Sequence, residues 1–537
     1  MIQGYMQDWP LLVGTIIDHA ARFHGDAEVV TRTVEGPIHR TNYRDIAVRA
    51  RKCAAALARL GVREGDRVAT LAWNTHRHME AWYGITHVGA VYHTVNPRLF
   101  DAQLEFIIQD ADDRIVLADL TFLPILERLA GGCLQGRQII MLTDRAHMPD
   151  SPLDLLCYED LLSVEEDGFS RVMVAENAPC GLCYTSGTTG NPKGVLYSHR
   201  SNVLQALMAH GPDVLALSAK TVVMPIVPMF HANAWSLAFS APMVGAKLVM
   251  PGPNMDAPSI CELMMDEGVD FACAVPSVWI DAIPYMKAHG QGKLNRTLIG
   301  GSAAPRWMVE AFAAMGVVVR HGWGMTELSP MGSITSPKPE ILALSHEAQI
   351  DQNLKQGLPI YGVEARIIGP DGAELPHDDV QSGQLQVRGP CVVGEYFKAA
   401  GGDVLTADGW FDSGDIAAID HFGYIRITDR TKDVIKSGGE WISSIELEGE
   451  ASGCPGVKEA AAIGIAHPRW VERPVLVVVR EAGSDVSAED VQTWLRSRVA
   501  KWWLPDRVEF VDELPHTATG KLDKKQLRLW FADMVLG

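Results

Sequence analysis

Hydrophobic and polar positions succeed one another along this chain in two rhythms. From residue 43 to 60, "YRDIAVRARKCAAALARL" places apolar side chains at helical spacing. "GVREGDRVATLAW" follows as a glycine-marked turn into a strand. The same helix-then-β-branched succession returns at 77–98, 101–119 and 258–276. Strands alternating with helices predict an α/β fold of layers around mainly parallel sheets. After about residue 355 the rhythm shortens. "GVEARIIGPDGAEL", "SGQLQVRGP" and "GWFDSGDIAAIDHFGYIRITDR" read as short strands between Gly/Asp turns, a β-rich subdomain. From 434 onward comes a compact α+β stretch with strands "AAAIGIA" and "PVLVVVRE" and a helix near 488–500. The hydrophilic "TDRTKD" between the two is the expected interdomain hinge. The predicted organisation is a large N-terminal domain, 1–428, of two α/β layered subdomains plus the β-rich one. A hinge at 429–433 and a small mobile α+β C-terminal domain, 434–537, complete it.

Composition narrows the class. A chain of 537 residues exceeds one ordinary core, and 47% hydrophobic residues with 49 glycines suit a globular protein rich in turns. The net charge of -19 argues against nucleic acid as partner and allows at most peripheral membrane contact, since those surfaces recruit basic patches. An anionic small ligand stays open, because it needs only local cations and oriented N–H groups. The N-terminal "MIQGYMQDWPLLVGTIIDHAARFHG" has no basic start, and Asp8 and Asp18 bracket its apolar run, so it reads neither as a signal peptide nor as a span. The nine cysteines are scattered. Cys180 and Cys183 are the one close pair, and with no second ligand pair in sight they read as small core residues. The chain reads as cytoplasmic, and no repeat of roughly 20 to 50 residues is visible.

Candidate chemistry concentrates at "YTSGTTGNPKGV" (184–195). It is not a Walker loop: with Gly187 as first glycine, Pro192 stands where the second belongs, and Lys193 is followed by Gly194. No G-x-G-x-x-G stands there either. The physics of a phosphate cradle is nevertheless present. Gly187 and Gly190 let backbone N–H groups converge on an anion, and Thr185, Ser186, Thr188 and Thr189 add hydroxyls. Lys193 adds a point charge.

This segment closely resembles the signature loop of the adenylate-forming superfamily of acyl-CoA synthetases, luciferases and peptide-synthetase adenylation domains. Further segments resemble its other motifs in the same order: "PMFHANAW" (228–235), "GGSAAP" (300–305), "HGWGMTE" (321–327), "GQLQVRG" (383–389), "WFDSGDIA" (410–417), "DRTKDVIKSGGEWIS" (429–443) and "LPHTATGKLDKKQLR" (514–528). The resemblance covers roughly residues 12 to 530. It implies a ligase using ATP, Mg²⁺ and coenzyme A: a carboxylate attacks the α-phosphate, giving acyl-AMP and pyrophosphate, and CoA then takes the acyl group.

The resemblance also implies roles. Glu327 would hold Mg²⁺, Thr326 would donate to the α-phosphate, and Lys521 would reach from the small domain to the reacting carboxylate and phosphate. Adenine would lie on Trp323 among Gly301, Ser302, Ala303, Gly322 and Gly324, and the ribose on Asp415 and Arg430. His231 and Trp235 would line the acyl site with Gly301 and Gly324, His231 at the junction with the thiol tunnel and Trp235 as a channel gate. Lys432 matches the hinge position. Lys436, Gly438, Gly439 and Trp441 would serve the thiol-transfer state. His516 departs from the basic residue more common there. Residues 232–239, "ANAWSLAF", contain no acid to pair a substrate ammonium, which argues for an uncharged acyl tail. A medium- or long-chain fatty acid is the expected substrate, with 3-(methylthio)propionate, an aryl acid or a carrier-protein acceptor as alternatives. The resemblance implies a homodimer.

Overall fold

The computed structural model describes residues 4–185, 191–437, 440–517 and 521–536, with the side chains of Glu440 and Trp441 outside the described set. Ser186, Gly187, Thr188, Thr189, Gly190, Gly438, Gly439 and the Trp441 ring therefore lie outside the described residues.

Two large sheets form the body of the N-terminal domain. One has seven strands in the spatial order Leu155–Cys157, Gln138–Met141, Asp113–Ala118, Arg67–Leu71, Val91–Thr94, Pro179–Tyr184 and Gly194–Ser198. All its pairings are parallel except the last, an antiparallel hairpin whose closing loop is the phosphate-cradle sequence. The second sheet has nine strands running from Leu358–Pro359 to Ile38–Asn42, with a parallel centre from Val318–Gly324 through Glu28–Arg32. Most crossovers are helices, the arrangement the alternating pattern predicts, whereas Gln138–Met141 and Leu155–Cys157 are joined through the 3-10 turn Arg145–His147. Helix Tyr43–Arg59 shows why: Asn42 accepts from the Asp45 amide as N-cap, and Tyr43, Ile46, Ala47, Ala50, Cys53, Ala54 and Leu57 face inward at helical spacing. That stripe joins Trp82, Tyr92 and Phe239 in one core between the sheets, with Trp82 stacked on Tyr92 at 4.5 Å. All nine cysteines are buried and free, Cys180 and Cys183 among them.

The β-rich part is an antiparallel four-stranded sheet, Glu364–Ile368, Gly383–Arg388, Phe411–Ile419 and Ile425–Arg430. The smaller C-terminal domain builds on the long hairpin Val457–His467 and Val471–Arg480, covered by helices Ser444–Ser452, Ala488–Leu495 and Lys524–Trp530. The helix expected near 488–500 ends at Leu495, and a short 3-10 turn, Lys501–Trp503, follows. None of the described helices is long and apolar enough to cross a membrane.

The expected hinge, 429–433, spans a strand end and a turn. Asp429 and Arg430 end strand Ile425–Arg430, registered against Ile416 and Asp415, so the turn proper is 431–433. Asp429 is fully buried and accepts from the Ser444 amide at 2.6 Å and the Ser444 hydroxyl at 3.0 Å. Lys524 bonds the same hydroxyl at 2.5 Å and pairs with Glu448 at 2.7 Å. Burial pushes the Glu448 carboxyl up to about 7, against the pull of Lys524.

Candidate active site

Where the sheets, the β-rich part and the small domain meet, a cavity of about 1540 Å³ opens. It gathers Thr185, Lys193, His231, Trp235, the 300–305 and 322–327 segments, Arg430, Lys432, His516 and Lys521. With Phe411, Asp412, Ser413 and Gly414, residues from seven of the eight sequence motifs thus converge on one space. The ends of the phosphate-cradle loop are fixed by Thr185, whose amide donates to the Lys193 carbonyl at 2.9 Å and whose hydroxyl accepts from the Lys193 amide at 3.3 Å. That hairpin closure aims Lys193 inward, its ammonium 4.9 Å from the centre of the Tyr396 ring.

Thr326 and Glu327 follow strand Val318–Gly324 on a short 3-10 turn, and both are buried. The Thr326 carbonyl accepts from the Tyr197 hydroxyl at 2.8 Å, and Glu327 Oε1 accepts from Tyr396 at 2.8 Å. Burial raises the Glu327 carboxyl above the ordinary range, while Tyr396, Arg430 and Lys521 pull the other way. A carboxylate on a cavity wall beside Lys193 is the hard oxygen donor that Mg²⁺ requires.

Trp323 lies over Gly332, where an added Cβ would meet its ring at 2.5 Å, so only glycine fits beneath it. Its indole N–H donates to Asp415 Oδ2 at 2.8 Å, and Arg430 Nε meets Oδ1 at 2.6 Å. Asp415 is 1% exposed and is not part of the cavity wall. Its carboxylate is held between the Arg430 guanidinium and the Trp323 indole, both of which line the cavity. Gly301, Ser302, Ala303, Gly322 and Gly324 line the space around that ring.

Lys521 reaches the same cavity from the small domain. Burial presses its ammonium down to about 8, Arg430 and Lys432 add repulsion, and Asp415 and Glu327 oppose. His231 is pushed down to about 4 by burial and by the charges of Lys521 and Arg98, so it is neutral at pH 7. Lys436 is elsewhere: it is exposed, outside the cavity, and its amide donates to Glu472 at 2.8 Å. His516 bonds Glu459 at 2.8 Å and the Leu514 carbonyl at 2.9 Å, which occupies both ring nitrogens.

Two groups of residues escaped the sequence reading. Tyr396 belongs to "GEYFK", between recognised motifs, and only the fold brings it to Glu327 and Lys193. Tyr92 and Asn202 are remote from every motif, yet both bond Asn233 in the acyl-site segment.

Known proteins resemble this chain over almost its whole length. The family model described as AMP-binding enzyme matches residues 17–397, and that of the AMP-binding enzyme C-terminal domain matches 446–521. The chain is 43% identical to a medium-chain-fatty-acid–CoA ligase of Ectopseudomonas oleovorans, over 99% of its own length and 98% of that protein. It is 43% identical to a 3-methylmercaptopropionyl-CoA ligase of Ruegeria pomeroyi over 99% and 100% of the two chains. With a long-chain-fatty-acid–CoA ligase of Thermus thermophilus the figures are 44%, 97% and 96%. Among solved structures, the anthranilate CoA ligase AuaEII in complex with anthranoyl-AMP superposes with a TM-score of 0.86 at 23% identity, covering 98% of this chain and 100% of that one. At that identity the likeness speaks for the fold.

Proposed function

The chain belongs to the AMP-binding enzymes and is an AMP-forming acid–thiol ligase, and from that premise we propose that the cavity activates a medium- or long-chain fatty acid for transfer to coenzyme A. The observation that carries this reading is Lys521, brought from the small domain into one cavity with Glu327, Thr326, Lys193 and Arg430.

In the first step a carboxylate oxygen attacks the α-phosphorus of ATP; the new O–P bond forms as the bond to pyrophosphate breaks. Two anions meet there, so fixed cations and donors supply most of the stabilisation. Lys521 offsets charge on the carboxylate and α-phosphate, and Thr326 donates to the same phosphate. Thr185, Ser186, Gly187, Thr188, Thr189, Gly190 and Lys193 hold the leaving phosphates. Mg²⁺ at Glu327 would neutralise the phosphate oxygens. Trp323 and the glycines around it carry adenine, and Asp415 with Arg430 carries the ribose. In the second step the CoA sulfur attacks the acyl carbon, a C–S bond replaces the C–O bond, and AMP leaves. Turning about Lys432 withdraws Lys521 and brings Lys436, Gly438, Gly439 and Trp441 to the site, with neutral His231 at the junction.

The acyl tail lies along Trp235, Ile280 and Gly301. The relative acting on 3-methylmercaptopropionate supports a short thioether acid as the second reading. A homodimer in the cytoplasm belongs to the same proposal, and light scattering of the purified protein tests the dimer. The deciding experiment is pyrophosphate release over a panel of saturated, aryl and thioether acids, with and without CoA. Release with fatty acids and thioester formed only with CoA is expected. Absence of release with every acid would sink the reading, and release without thioester would point to a carrier-protein acceptor.

A further inference from the structure

Residues Ala232, Asn233, Ala234, Trp235 and Ser236 follow one another at φ of 45°, 57°, 49°, 51° and 70°. This is more than a full turn of left-handed backbone without a glycine. Left-handed backbone is disfavoured for every such L-residue, and among these side chains asparagine tolerates the conformation best. Something outside the turn has to hold it.

The candidate holder is a closed ring of three buried side chains. The Tyr92 hydroxyl donates to Asn233 Oδ1 at 3.2 Å, Asn233 Nδ2 donates to Asn202 Oδ1 at 3.3 Å, and Asn202 Nδ2 donates to the Tyr92 oxygen at 2.8 Å. Tyr92 stands on strand Val91–Thr94, clamped by Trp82, and Asn202 on helix His199–Ala209, so the anchor belongs to the seven-stranded sheet and its helices. At the other end of the turn, Trp235 lies against the glycine pair that follows strand Arg296–Ile299 of the nine-stranded sheet. A Cβ on Gly300 would come within 3.3 Å of its six-membered ring. Trp235 lines the cavity, whereas Tyr92, Asn202 and Asn233 do not.

We propose that Asn233, fixed by Tyr92 and Asn202, is a positioning residue that sets acyl-chain selectivity by holding the left-handed turn that lays Trp235 across Gly300 and Gly301. The inference rests on the reading of Trp235 as a wall of the acyl channel. With the ring of amides and hydroxyl broken, the turn relaxes toward right-handed backbone and Trp235 is re-aimed. The glycine pair then opens to the chain.

The test compares kcat/KM for saturated acids from acetate to palmitate in wild type, Tyr92→Phe, Asn233→Ala and Trp235→Ala, with KM for ATP and the thermal midpoint recorded for each. Tyr92→Phe removes one oxygen and keeps the packed ring, so it should fold. A methylene in an apolar channel is worth roughly 10- to 200-fold. Tyr92→Phe and Asn233→Ala are therefore expected to shift the ratio between long and short acids by about tenfold or more, in the direction Trp235→Ala shifts it, at unchanged KM for ATP. If both variants scale every acid equally while Trp235→Ala alters the ratio, the inference is overturned although the channel reading stands. If Trp235→Ala itself leaves the ratio unchanged, the channel reading fails and this inference with it.

Discussion

The hydroxyl of Tyr396 donates to Oε1 of Glu327 at 2.8 Å. The same ring carries the Lys193 ammonium on its face at 4.9 Å, so one side chain aligns both the carboxylate proposed for Mg²⁺ and the cation proposed for the leaving phosphates. A hydrogen bond to a charged group contributes about 1.5–3 kcal/mol, so Tyr396→Phe should raise KM for Mg·ATP about tenfold or more while KM for the acid stays put. Steady-state pyrophosphate exchange measures both, and equal rises would contradict the assignment.

Lys521 is held near pKa 8, and its protonated form is the one that meets the two anions. Adenylation kcat/KM for ATP should therefore fall as pH rises through about 8, because that parameter reports the free enzyme. Bound ATP, being anionic, moves the limb in kcat to higher pH. Lys521→Ala should lose the limb and on the order of 10²–10³ in adenylation rate, yet largely keep thioester formation from supplied acyl-AMP.

Trp323 and Arg430 share the buried Asp415 carboxylate. Trp323→Phe preserves an aromatic face for adenine but leaves Asp415 Oδ2 without its donor. KM for ATP should rise by roughly tenfold, and Asp415→Asn should weaken the Arg430 contact by a similar factor. Isothermal titration with a non-hydrolysable ATP analogue gives the affinities directly; unchanged values would remove Asp415 from the nucleotide site.

His516 is raised above the ordinary imidazole range chiefly by its bond to Glu459. A raised folded value means the contribution to stability is fully present below about 6.5 and is lost as pH climbs through the folded value. The gap in thermal midpoint between wild type and His516→Ala should be widest in mildly acidic buffer and close toward alkaline pH. A gap that widens with pH would show that His516 acts otherwise than through Glu459.

Much of this architecture was legible beforehand, and the reasons are local. Helix Tyr43–Arg59 and strand Arg67–Leu71 carry periodicity and caps within their own residues, so the α/β rhythm could be read directly. Thr326, Glu327, Trp323 and Lys521 stand in ordered motifs whose spacing survives without a fold. What escaped was everything fixed by distant contact. Asp415 has the residue type of a ribose ligand, but only the register of strand Phe411–Ile419 beside Ile425–Arg430 shows it paired with Arg430 and covered by Trp323. Tyr396 and Asn202 lie 69 and 31 residues from their partners Glu327 and Asn233, and nothing in the intervening sequence marks the meeting. That Asp429 and Arg430 pair with Ile416 and Asp415 as the end of a strand likewise cannot be seen in the hydrophilic run "TDRTKD".

The buried bond from Ser444 to Asp429 gives the second half of the chain a gear tooth. Asp429 is locked into the large domain by its strand, whereas Ser444, Glu448 and Lys524 all ride on the small one. Lys524 follows Lys521 by three residues, so the segment that brings the Lys521 ammonium to the cavity and the segment that engages the tooth are nearly the same piece of chain. A rotation that retracts Lys521 together with helix Ser444–Ser452 would take the two Ser444 donors from a buried carboxylate and leave it the Arg430 amide. Such a linkage would make the small domain dwell rather than drift, and in the proposed cycle the work of disengaging it would fall due once per turnover, after pyrophosphate has gone and before the thiol arrives.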